Sequence, residues 1–109
     1  MNDLRFYGFN LMPYPYIPPT AEIESTWVSL SNKHYEPQRG RQLYEEYIDQ
    51  LVATEKYGFD GVGVNEHHAN FYGTMPSPNI IAAMLVQRTN HIPIGVIGNA
   101  IPLHGNPLR

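Results

Sequence analysis

The stretch Tyr57-Gly58-Phe59-Asp60-Gly61-Val62-Gly63-Val64 decides the architecture of this chain. Gly58 falls directly after a long amphipathic run. Glycine there takes the helix C-cap role, because it enters the left-handed region without the penalty a Cβ brings. Phe59 and the valines among glycines that follow read as a short buried strand over residues 59–64. Helix, glycine and strand in immediate succession form the hinge of a βαβ unit, and such a crossover joins parallel strands.

Working outward, Leu43, Tyr44, Tyr47, Ile48, Leu51 and Val52 recur at three- and four-residue spacing and predict a helix over residues 41–57. Ahead of it, Pro37 and Gly40 close a long connection that opens with Pro13, Pro15, Pro18 and Pro19 interleaved with Tyr14 and Tyr16. No helix or central strand tolerates that proline density. Inside the connection, Trp27-Val28-Ser29-Leu30 alternates and predicts a small edge ribbon. Before it, residues 5–11 (RFYGFNL) form a first strand candidate.

Downstream, residues 65–75 read as a polar and aromatic loop. Ser77-Pro78 then supplies an N-cap serine and a proline at the first helical position. Ile80, Ile81, Met84 and Leu85 predict the apolar face of a second helix ending near Thr89-Asn90, and residues 92–97 a third strand. Asn106-Pro107 reads as the approach to another helix. Strands and helices in strict alternation point to an α/β fold. An open doubly wound sheet and a closed barrel begin alike, and periodicity alone does not separate them.

With 109 residues, the chain accommodates one domain. Its net charge of -3 and seven scattered Lys and Arg residues give no basic stripe, so nucleic acid is not an expected partner. Cysteine is absent, which removes disulfides and thiolate metal sites. No window approaches the roughly 18 apolar residues of a membrane helix, and no secretory h-region is present. These features predict a soluble, cytoplasmic protein without membrane contact.

Ligands of parallel α/β folds bind at the carboxyl ends of the strands. Three polar groups fall at those ends: Asn10, Asn65-Glu66-His67-His68, and Gly98-Asn99. Their convergence on one rim is the expected site. Two imidazoles beside a carboxylate titrate near neutrality and suit acid–base work. The blander alternative is one structural histidine and one solvated one. A metal centre is not expected, because adjacent residues on extended backbone point to opposite sides and the His-Glu-x-x-His helical spacing is missing.

Gly95-Val96-Ile97-Gly98-Asn99-Ala100 closes a strand and lacks the phosphate-loop pattern. Residues 13–19 read as a rigid loop over a pocket, with Tyr14, Tyr16 and Trp27 as apolar lining. They also read as an insertion that packs on the fold, or as a ligand for proline-recognition modules. His34, His91 and His104 stand alone and are expected to be structural or solvated.

Tyr57-Gly58-Phe59-Asp60, Asn65-Glu66-His67-His68, Tyr72-Gly73, Pro76-Ser77-Pro78, Ile101-Pro102-Leu103 and Asn106-Pro107-Leu108-Arg109, in that order, resemble the luciferase-like flavin-dependent monooxygenases. The resemblance covers residues 5–109. It implies a (β/α)8 TIM barrel, with residues 1–109 as its partial N-terminal domain: strands one to three of eight, and a long first strand-to-helix loop. A complete barrel takes roughly 250 residues, so the expected activity belongs to a parent protein.

The implied activity is that of an FMN-dependent monooxygenase, which uses reduced FMN from a separate flavin reductase and dioxygen to oxygenate a small apolar substrate such as an alkanal, alkane or terpene. A deazaflavin-dependent oxidoreductase on the same barrel, or a non-catalytic flavin-binding or assembly fragment, are the alternatives. By the same resemblance His67 is the candidate base near the reactive ring edge, with Glu66 and His68 orienting it or lining the substrate side. Ile97-Gly98 matches the place of a non-prolyl cis peptide under the ring. Asn65 and Asn99 become candidate cofactor contacts, and a homo-oligomer is implied for the full-length protein.

Overall fold

A computed structural model of the chain describes residues 3–19, 22–25, 29–103 and 105–106. Its elements are β1 (Tyr7–Phe9), α1 (Pro37–Lys56), β2 (Gly61–Asn65), α2 (Pro78–Arg88) and β3 (Ile94–Ile97), with single 3-10 turns at Asn32–His34 and Ile101–Leu103. The ribbon expected from Trp27 and Val28, the character of His104, and the motif from Pro107 onward lie outside the described residues. Ser29 and Leu30 are not in a strand.

The three strands form one parallel sheet in the order β1-β2-β3. The helix-glycine-strand hinge read from the sequence is found, although β2 runs Gly61–Asn65 rather than over residues 59–64, leaving Phe59 and Asp60 in the turn. Gly58 adopts φ 77°. Its N–H donates to the Glu55 carbonyl at 3.1 Å, and the Phe59 N–H donates to the Thr54 carbonyl at 3.1 Å. This pair of bonds is the Schellman closure of a helix. Asp60 then ties the hinge to the start of β1, its carboxylate accepting from the Phe6 N–H at 2.7 Å and its own N–H donating to the Phe6 carbonyl at 2.8 Å.

Both helices cover the same face of the sheet: α1 packs on β1 and β2, α2 on β2 and β3, and the two helices touch. Ile48 and Leu51 of α1, Val62 and Val64 of β2, and Ile81 and Leu85 of α2 form the core, closed at its ends by Met12, Met75 and Ile92. Strand alternation leaves Gly61, Gly63 and Asn65 for the opposite face. There Tyr7 and Phe9 are half exposed and Ile97 is 61% exposed.

Several boundaries differ from the sequence reading. Pro37 opens α1 where it was expected to close the loop, because proline at the first helical position forfeits no hydrogen bond. Gly40 lies inside α1 under the Tyr35 ring, where a Cβ would collide with it. The outer strands are shorter than expected; ahead of β3, the Pro93 carbonyl accepts from the Val62 N–H at 2.9 Å. Ser77 caps α2 by position, yet its hydroxyl makes no cap bond. The apolar face of α2 is split: Ile81 and Leu85 are buried while Ile80 and Met84 are exposed.

Candidate functional site at the carboxyl ends of β2 and β3

Where β2 ends, Glu66 organises the rim. Its side chain is only 4% exposed and both oxygens are committed. Oε1 lies 2.6 Å from His68 Nε2. Oε2 accepts from the N–H groups of Asn99 and Ala100 at 2.7 and 2.8 Å. The His68 bond, then the Ala100 and Asn99 bonds, outweigh desolvation and lower the Glu66 pKa from 4.5 to about 2. An ionised carboxylate only accepts, so a neutral His68 is held with its proton on Nε2.

Gly98 makes this bridge possible. A Cβ at Gly98 would stand 2.8 Å from Glu66 Cβ and 2.9 Å from the Glu66 nitrogen. The expected cis bond is not found: the Ile97–Gly98 peptide is trans. Close approach of β3 to the end of β2, rather than a cis peptide, explains the glycine. Ile97 lies on the open sheet face, its Cδ1 occupying the space over Gly63.

The two histidines differ. His68 is half exposed and paired with Glu66. His67 turns the other way, its ring edge-on to Tyr72 at 5.3 Å and stacked over Gly73, where a Cβ would meet the imidazole at 2.6 Å. Its backbone N–H donates to the Met75 carbonyl at 2.8 Å. Among the described residues the His67 ring nitrogens have no hydrogen-bond partner. Glu66 and His68 therefore bind each other and do not orient His67, contrary to one sequence expectation.

Asn65 is 5% exposed, and neither amide atom has a partner among the described residues. A buried amide left so costs about 1–3 kcal/mol, so a donor–acceptor ligand edge would complete it. Asn99, with φ 103°, pairs reciprocally with Asn79 of α2 at 3.0 and 3.2 Å. Its amide is thus engaged by the protein.

Of the three polar groups expected on one rim, two converge. Asn10 does not join them: its amide nitrogen donates to Gln50 Oε1 and its oxygen accepts from the Met12 N–H, both at 2.7 Å. Asn10 pins the loop after β1 to α1. Sequence reasoning missed Asn79 and Ala100, and no local pattern marked either. Tyr72-Gly73 carried a family signal but no assigned role. Among the described residues no three His, Cys, Asp or Glu side chains group as a metal site.

The luciferase-like monooxygenase family matches residues 23–107. The chain belongs to the luciferase-like monooxygenase family. The three parallel strands and two helices are consistent with part of a luciferase-like TIM barrel.

It is 28% identical over 72 residues to the flavin-dependent trigonelline monooxygenase, oxygenase component, of Acinetobacter baylyi, covering 66% of this chain and 20% of that one. It is also 32% identical over 62 residues to the alkanal monooxygenase alpha chain of Photobacterium leiognathi, covering 57% and 18%. The chain spans about a fifth of the length of these relatives. No solved structure matches at the same significance. No described helix is long and apolar enough to cross a membrane.

Proposed function

We propose that this segment is the β1–β3 rim of an FMN-dependent monooxygenase that oxygenates a small apolar organic substrate. Within the family, the observation that carries this reading is the Glu66 carboxylate bridging His68 to the end of β3, which builds one polar rim from two strands. The residues present fit a flavin. The unpartnered Asn65 amide suits the donor–acceptor edge of its ring, and His67, two residues on, keeps ring nitrogens uncommitted among the described residues.

Reduced FMN, when bound, supplies the electrons for dioxygen activation. Asn65 would hold the ring edge, its Nδ2 being available to donate and its Oδ1 to accept. His67 holds or moves a proton at a ring nitrogen, with Tyr72 and Gly73 fixing the plane of the imidazole. Glu66 holds His68 and the β3 end in place and stays ionised. A separate reductase as the source of reduced flavin is supported by the A. baylyi relative being named an oxygenase component.

The test is His67→Ala in the protein, assayed for oxygen consumption with reduced FMN and an apolar substrate. Loss of a proton-transfer group slows oxygenation by about 100-fold or more while reduced FMN still binds. Unchanged turnover would remove His67 from the chemistry.

A further inference from the structure

Next to the rim, residues 13–19 and the turn at Phe71 and Tyr72 line an open apolar pocket of about 430 Å³. Its walls are proline rings, Ile17 and aromatic side chains, and among the described residues none that lines it is charged. Small-molecule sites are typically about 300–1,000 Å³, mostly apolar and largely pre-formed, and this one is built to stay formed. Four prolines fix φ along one wall.

Tyr14, 1% exposed, anchors that wall: its N–H donates to the Phe71 carbonyl at 2.8 Å and its hydroxyl accepts from the Glu36 N–H at 3.0 Å. The Tyr47 hydroxyl donates to the Pro13 carbonyl at 2.7 Å. Tyr72, 40% exposed, forms part of the pocket and also stands edge-on to His67. One ring thus separates an uncharged cavity from the uncommitted imidazole.

We infer that this pocket takes the uncharged apolar portion of the substrate, with Tyr72 the specificity-determining wall shared with His67. The inference rests on the monooxygenase reading for the word substrate; the pocket itself is tested without flavin.

The experiment titrates the protein with N-phenyl-1-naphthylamine, an uncharged aromatic probe whose fluorescence rises in apolar sites, and in parallel with reduced FMN. Saturable probe binding is expected, retained in Tyr72→Phe and weakened about tenfold or more in Tyr72→Asp, since a carboxylate is disfavoured against an apolar ligand. Met84→Asp, in the separate apolar hollow on α2, should leave probe binding intact. Loss in Met84→Asp with no change in Tyr72→Asp would overturn the inference, as would equal loss in Tyr72→Phe and Tyr72→Asp. Probe binding that depends on Tyr72 in a protein unable to bind reduced FMN would support the pocket and overturn the monooxygenase reading instead.

Discussion

Glu66 and His68, two residues apart beyond β2, face the same side and meet at 2.6 Å, while His67 between them points away to Tyr72. Extended backbone alternates its side chains, so the adjacent histidines of the motif are divided between two environments. One is tethered to a carboxylate; the other has its nitrogens uncommitted. The pair therefore offers two different chemistries, and the variants below separate them.

Glu66 should make stability pH-dependent. Its folded pKa is lowered from 4.5 to about 2, so its contribution is present above pH 4.5 and lost as the pH falls toward 2. In urea unfolding between pH 7 and pH 2.5, Glu66→Gln should show a smaller acid-induced loss than wild type. Parallel curves would contradict the bridge to Asn99 and Ala100.

Glu55 acts alike at the opposite end of the sheet. Its carboxylate accepts from the N–H groups of Asn90, His91 and Ile92 at 2.7–3.1 Å, which lowers its pKa to about 2. Glu55→Ala leaves those donors without this acceptor and should lower the thermal midpoint at pH 7 more than the exposed Glu46→Ala does. An equal midpoint in the two variants would show that the α1–β3 latch carries no stability.

Gly98→Ala should separate the ends of β2 and β3, because the added Cβ meets both Glu66 Cβ and the Glu66 backbone. The expected result is lost amide-exchange protection at Asn99 and Ala100. Gly58→Ala, at φ 77° with open space around it, should cost about 1–2 kcal/mol through backbone strain alone and leave that protection in place.

Leu51, 1% exposed in the core between α1 and β2, should lose about 2–5 kcal/mol on replacement by alanine. Ile80→Ala, on the exposed side of α2, should cost about 0.5 kcal/mol or less. Similar denaturation midpoints would refute the placement of Leu51 in the core and of Ile80 on the exposed side of α2.

The parallel unit was legible in the sequence because its signals are local: the α1 stripe, Gly58, and the Ser77-Pro78 entry into α2. The carboxyl-end placement of Asn65, Glu66 and Gly98 followed from topology. Side-chain partners did not, since they depend on register. Asn10 was expected on the rim and bonds Gln50 instead. Asn99 was expected free for a ligand and pairs with Asn79, twenty residues away. Gly98 was read through a family cis peptide, whereas the contact that requires glycine is with Glu66.

Asn65 provides the most direct test, because its amide is buried without a partner. Asn65→Leu removes a buried polar group, so the ligand-free protein should be as stable as wild type or more so. Anaerobic titration with reduced FMN should nevertheless show affinity weakened about tenfold, the loss of one or two hydrogen bonds. Wild-type affinity in this variant, or no saturable binding of reduced FMN by the protein, would contradict a flavin site at the end of β2.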